Sequence, residues 1–220
     1  MVRYLGVLFL VLAGLLSRAQ TQIHPLTVIY QDDNFQITGV SVSKSGRVFI
    51  NFPRWSDRYL NAVVEVMPDG STKPFPDEHW NRWDMKAEHA GKQFICVQSV
   101  VVDDADALWV LDPAVPLFAA NVPGGTKLVK INLKSNQVER VIAFGSDVVK
   151  PGSYLNDIRF DNQRNVAYIT DSGIGGVVVL DLKSGKSRRV LDGHPSVLVE
   201  PGVKVVVDGK ELLEFGKPPQ

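Results

Sequence analysis

The amino-acid sequence predicts an all-β fold built from repeated four-stranded sheets, and three observations predict it. Residues 155–191 read as four short strands laid end to end with turn residues between them. The same order of strands and turns recurs twice earlier in the chain. No segment within 155–191 has a helical period.

The third copy shows the pattern most clearly. Residues 157–161 alternate, so that Ile158 and Phe160 share one face of a strand. Residues 166–170 are rich in β-branched and aromatic side chains, 177–182 form an apolar run, and 187–191 return from polar to apolar. The intervening segments 162–165, 171–173 and 183–185 each contain Asn, Asp, Ser or Gly, residues that accept positive φ or cap a turn.

Residues 98–112 repeat the first half of this unit and 127–144 the second. Leu133-Lys134-Ser135-Asn136 stands where Leu182-Lys183-Ser184-Gly185 stands. Residues 38–51 and 62–75 form another copy, turning at Pro68-Asp69-Gly70. A period of about sixty residues marks a repeat architecture, and four antiparallel strands per repeat describe a propeller blade. The blades are expected at 37–75, 97–144 and 155–192. A further unit starts in 193–220, where 204–207 and Asp208-Gly209 suggest a hairpin.

Closed propellers have about four to eight blades, so three leave an incomplete ring. Further blades or a second chain are needed to close it, and the isolated chain is expected to be marginally stable because its outer blades lack neighbours. Residues 26–30 are predicted as a strand able to complete a last blade.

With 220 residues, 45% of them apolar, the chain can bury a sizeable core. Its 24 basic and 24 acidic residues balance and are scattered, which excludes a nucleic-acid or membrane-surface footprint. Residues 183–189 read as a solvated strand edge where charge discourages pairing. The amino terminus reads differently. A positive start, a short apolar run over 5–16 and small residues at Ser17 and Ala19 predict a secretory signal peptide over 1–19, with an uncleaved anchor as the alternative. The mature protein, 20–220, is then exported, extracellular or periplasmic, and free of the membrane. Cys96 is the one cysteine, in an apolar run, and reads as a small buried hydrophobe.

Three stretches carry a resemblance. Residues 37–55 (ITGVSVSKSGRVFINFPRW), 94–112 (FICVQSVVVDDADALWVLD) and 154–173 (YLNDIRFDNQRNVAYITDSG) resemble the major royal jelly protein and insect yellow family, including its bacterial members. The likeness extends from Thr27 through His194-Pro195-Ser196 to Asp208-Gly209-Lys210. It implies a secreted six-bladed β-propeller, of which this chain supplies about the first half. It also implies either binding of a small organic ligand or dopachrome-type chemistry. A wider kinship with gluconolactonase and regucalcin-like propellers implies a divalent cation such as calcium at the starts of the innermost strands. The matching positions are Thr38, Gln98 and Asn156. Asn156 can supply an amide oxygen to such an ion. Thr38 and Gln98 are neutral where the kinship places an acid or amide, so ion binding would depend on other blades.

The ends of the second strands give a second ring of equivalents, Asn51, Asp112 and Asp171, expected near the channel mouth opposite the end where the first strands begin. Each is either a cap for its turn or a lining of the channel. The loop 52–58 carries Trp55 beside Arg54 and Arg58. Trp55 either packs that loop over the blade or forms a rim for an aromatic or anionic ligand. Within 76–93, His79 and His89 lack the short spacing of zinc ligands and read as structural. Residues 103–106 resemble part of a calcium loop but lack its Gly and distal Glu, so a hairpin turn is the better account. Asn156 and Asp157 are adjacent in a strand and are expected to point to opposite faces.

Two functions follow. One is a secreted ligand-binding propeller in which Trp55, Trp80 and Trp83 grip a small organic molecule. The other is an enzyme, a dopachrome-type tautomerase or a metal-dependent lactone hydrolase, using Asn156 and Asp171.

Overall fold

The computed structural model describes residues 26–200 and 202–213. The signal sequence expected over 1–19 lies outside them. Three four-stranded antiparallel sheets follow one another in the chain, each ordered from inside to outside. The first contains β1 (Gly39–Val42), β2 (Val48–Asn51), β3 (Val63–Val66) and β4 (Thr72–Pro74). The second contains β5 (Ser99–Val102), β6 (Ala107–Asp112), β7 (Lys127–Asn132) and β8 (Gln137–Ala143). The third contains β9 (Leu155–Asp161), β10 (Val166–Asp171), β11 (Val177–Asp181) and β12 (Ser187–Val190). A two-stranded hairpin, β13 (Val206–Val207) and β14 (Lys210–Glu211), comes last. Its turn residues Asp208 and Gly209 both have positive φ, 50° and 75°, as a two-residue hairpin turn requires.

The sheets stack face to face as propeller blades. Phe49, Val63 and Phe75 of the first meet Val100, Leu108, Val129 and Ile131 of the second. The opposite face of the second, with Trp109, Leu111 and Leu128, meets Ile158, Ala167, Ile169 and Leu180 of the third. The alternation read in the sequence explains this, since every second residue of each strand enters one interface. Each fully buried aliphatic side chain here contributes about 1.5–3 kcal/mol.

Neighbouring blades are also fastened by arginines. Arg47 binds Glu65 in its own blade through Nε and Nη2 (2.6 and 2.7 Å) and donates through Nη1 to Leu133 O in the next (2.7 Å). Arg140 repeats the contact one blade on, donating to the carbonyls of Leu182 and Lys183. At the same end of the blades, the 103–106 segment is a hairpin turn between β5 and β6. The Asp103 carboxylate accepts from Ala105 N, Ala107 N and Trp109 Nε1. Asp104 and Asp106 tie the turn to Asn162 and Lys44 on either side.

Two expectations change. Residues 26–30 form no strand. The Asp32 carboxylate caps Asn34 N and Phe35 N (2.8 and 2.9 Å), which turns Phe35 in against Phe52 at 5.9 Å between ring centres. The segment therefore covers Ile50, Phe52, Val64 and Val66 on the outer face of the first blade instead of pairing with an edge. Val40 and Val42 on that face stay exposed, at 63% and 55%. The second change concerns Arg189. It lies in the stretch read as a solvated edge, yet its side chain is only 4% exposed, held by Asp171 (2.7 Å) and Asp192 (2.9 Å).

Candidate functional site

The innermost strands start, and the second strands end, at the same end of the blades and not at opposite ends as expected, because the two are antiparallel neighbours. A cleft of about 1250 Å³ opens there. Trp55 and Phe118 form one wall, stacked at 5.2 Å and 27°. Leu117 N donates to Arg54 O (2.8 Å), tying the loop after β6 to the loop after β2 and so setting that stack. Tyr154, Gln98 and Asn156 border the cleft on the inner side. Asn121, from the insertion after β6, is fixed by donating to Pro113 O and Ser153 O (both 3.1 Å).

A short relay orders the polar part. The Trp55 indole N–H donates to Tyr154 Oη (2.9 Å), and that hydroxyl donates to Gln98 Oε1 (2.8 Å). Indole nitrogen can only donate, so the phenol proton must go onward to an acceptor. This fixes the orientation of the Gln98 amide, with Oε1 engaged and its NH₂ left as a donor at the cleft. Asn156 Nδ2 donates to Ser172 Oγ (3.0 Å), which leaves the Asn156 oxygen as an acceptor.

Asn156 is aimed by an irregularity. Ile158 pairs with Ile169 and Leu155 with Asp171, so Thr170 alone faces both Asn156 and Asp157. A bulge of this kind re-aims side chains. As a result Asn156 and Asp157 both border a smaller recess of about 290 Å³, with Thr38, Gln98 and Ser99. The strict alternation expected for these two neighbours does not hold.

The residues read from the sequence divide into two groups. Gln98, Asn156 and Trp55 line the cleft. Thr38 sits beside it in the recess, where its hydroxyl donates to Gln98 O (2.9 Å) and accepts from Asn51 Nδ2 (2.8 Å). Asn51, Asp112 and Asp171 are buried inside the fold and border neither space. Asn51 Nδ2 also donates to Val97 O. Asp112 accepts from Ile95 N, Cys96 N, Ala114 N and the Lys127 ammonium. Asp171 accepts from Tyr154 N, Gly173 N and Arg189. Of the two roles open to these three, capping is the one the contacts of Asp112 and Asp171 describe, whereas Asn51 captures no backbone N–H and ties β2 to Thr38 and Val97 instead.

Trp80 and Trp83 do not reach the cleft. Trp80 packs on Phe94 at 5.0 Å, and Trp83 is buried with its N–H on Lys86 O (3.0 Å). Arg54 lies over the rings of Tyr59 and Trp83, and Arg58 over Phe35, so neither arginine forms the rim. Tyr154, Phe118 and Lys150 were not singled out in the sequence. Tyr154 adjoins the start of an innermost strand, which is the signal that could have found it. Phe118 and Lys150 sit on loops whose pattern gives no such cue.

The chemistry offered is that of recognition. Burial, with Cys96 beside it, pushes the Tyr154 phenol well above its ordinary value. Burial, then the charge of Asp112, pushes the Cys96 thiol up to about 12. Neither supplies an anion at neutral pH. The described residues also do not fit a divalent ion. Thr38 Oγ1 and Gln98 Oε1 are already engaged, Asn156 leaves one oxygen, and hard cations need about six oxygens including carboxylates. Among the described residues no three His, Cys, Asp or Glu side chains converge as a metal site.

Three fanned four-stranded sheets with a cleft at their inner strands define part of a β-propeller. The family model for major royal jelly protein matches residues 95–215. The chain belongs to the major royal jelly protein family. No curated protein matches it. Among solved structures, the chain is similar to the extracellular domain of a B. thetaiotaomicron protein, at 12% identity over 71% of this chain and 17% of that one, with a TM-score of 0.46. It is similar to virginiamycin B lyase from Staphylococcus aureus at 14% identity over 76% and 58%, TM-score 0.40. It is also similar to a gluconolactonase from Xanthomonas campestris at 14% identity over 70% and 61%, TM-score 0.29. The chain spans less than two thirds of each of these, and likenesses so distant assign no activity. Among the described residues no helix is long and apolar enough to cross a membrane.

Proposed function

We propose that this chain is a secreted ligand-binding propeller that holds a small planar organic molecule in the cleft beside Trp55. The observation that carries the reading is the Trp55–Tyr154–Gln98 relay. It sets a rigid aromatic wall next to an amide of fixed orientation, with the Asn156 oxygen as a complementary acceptor. Pockets of this kind bind by apolar contact and are made selective by a few placed polar groups. Export rests on the pattern of residues 1–19. Blades beyond the three described would deepen the same cleft by closing the ring around it.

The enzymatic alternative, dopachrome tautomerisation or lactone hydrolysis, needs an acid, a base or a bound cation at the reacting atoms. Among the described lining residues there is no Asp, Glu or His, and Lys150 is the one basic side chain. The test is equilibrium dialysis of the full chain against indole-3-acetamide, with Trp55→Ala in parallel. One saturable site that Trp55→Ala removes is expected. No saturable binding, or binding indifferent to Trp55, contradicts the proposal. Chelator-sensitive turnover of a lactone would favour the enzyme instead.

A further inference from the structure

The charge of the cleft carries an inference that rests on the binding site just proposed and deepens it. No carboxylate lines the cleft among the described residues, and Lys150 is its one charged side chain. We infer that the site takes neutral or anionic planar ligands and rejects cationic amines, and that Lys150 sets this preference.

The groups around the cleft support that assignment. Gln98 presents its NH₂ as a donor, because Tyr154 occupies its oxygen. The Lys150 ammonium rests on Asp192 Oδ2 at 2.6 Å, with its side chain 45% exposed. Asp192 also accepts two bonds from Arg189 Nε, at 2.9 and 3.1 Å, so it keeps a cation when Lys150 turns away. Lys150 is therefore free to meet an anionic group at the mouth of the cleft without stranding a partner. Loss of one charge-assisted contact is replaced by another of the same kind.

A cationic ligand finds no such exchange. It would leave water, face a positive side chain and meet no carboxylate in the lining, since Asp192 beyond it already holds Lys150 and Arg189. Asn156 and Asn121 offer neutral oxygens only. The ring faces on which a cation could rest are partly closed, because Trp55 and Phe118 cover one another. Asp157 borders the smaller recess, but Arg159 is bound to it at 2.9 Å.

The test uses three molecules that share one ring and differ in charge: indole-3-acetate, indole-3-acetamide and tryptamine, titrated calorimetrically into the full chain at neutral pH. The acetate and acetamide should bind, and tryptamine should bind at least about tenfold more weakly than the acetamide. Lys150→Gln should lower the ratio of acetate to acetamide affinity by about fivefold or more, both measured on the same variant. Tryptamine binding as well as the acetamide would overturn the inference, as would a ratio indifferent to Lys150→Gln. In either case the acetamide still reports the site. Binding of none of the three would contradict the site and the charge preference together.

Discussion

The Lys127 ammonium lies 2.7 Å from the Asp112 carboxylate, and neither side chain touches water. The pair joins the start of β7 to the end of β6, and Asp112 also receives the N–H groups of Ile95, Cys96 and Ala114. A buried carboxylate so placed fixes the loop that leads into Gln98. Removing one partner leaves the other charged and unsatisfied, which costs about 3–5 kcal/mol. Lys127→Met should therefore destabilise the chain by about that amount in urea unfolding. The double change Lys127→Met with Asp112→Asn should recover part of the loss, because no unpaired charge then remains and the Asn oxygen still accepts from the buried backbone N–H groups.

Acid should weaken the third blade through Asp171. Burial acts to raise its pKa, but Tyr154 N–H, the Arg189 guanidinium, Ser153 and Gly173 N–H outweigh that and hold it below its ordinary value. A carboxylate depressed in the folded state adds stability that is complete above its unfolded pKa of about 3.9 and is lost as pH falls through the folded value. The urea midpoint should fall as the pH drops below about 4, and Asp171→Asn should be less stable at neutral pH with a flatter acid slope.

Much of the fold was legible because strand period and turn chemistry agree in all three copies. Ile158 and Phe160 were read on one face and both pack against the second blade. The failures have particular causes. The strand expected over 26–30 gives way to the Asp32 cap, a local hydrogen bond that alternation does not reveal. Asn156 and Asp157 share a recess because a bulge breaks the period, and nothing in their residue types announces one. Trp80 and Trp83 look like Trp55 in sequence. Only tertiary packing sends the first two inward and leaves the third at the cleft.

Tyr154→Phe should show what the relay contributes. It leaves the Trp55 N–H and Gln98 Oε1 without their partner and frees the Gln98 amide to turn. A loss of about 1–3 kcal/mol in stability is expected, together with weaker binding of indole-3-acetamide. Unchanged affinity would separate the relay from recognition.

Gly173 lines the cleft where the backbone passes very close to its neighbours. A Cβ there would lie 2.0 Å from Gly152 O and 2.7 Å from Tyr154 N, contacts that only backbone movement can relieve. Gly173→Ala should cost about 1–3 kcal/mol and lower ligand affinity, by shifting Tyr154. Thermal unfolding and dialysis on the same preparation check both.

Cys96 should be silent in the folded chain. With its thiol pushed up to about 12 by burial and by Asp112, it carries almost no thiolate at neutral pH. Ellman's reagent should detect it only after denaturation, and rapid modification of the native chain would contradict the packing around it.

The most direct test places the ligand against the tryptophans. In a ¹H–¹⁵N spectrum the four indole N–H signals of Trp55, Trp80, Trp83 and Trp109 can each be followed while indole-3-acetate is added. The signal of Trp55 should move and saturate while the other three stay in place. Movement of Trp80 or Trp83 with Trp55 unchanged would put the site elsewhere and contradict the account.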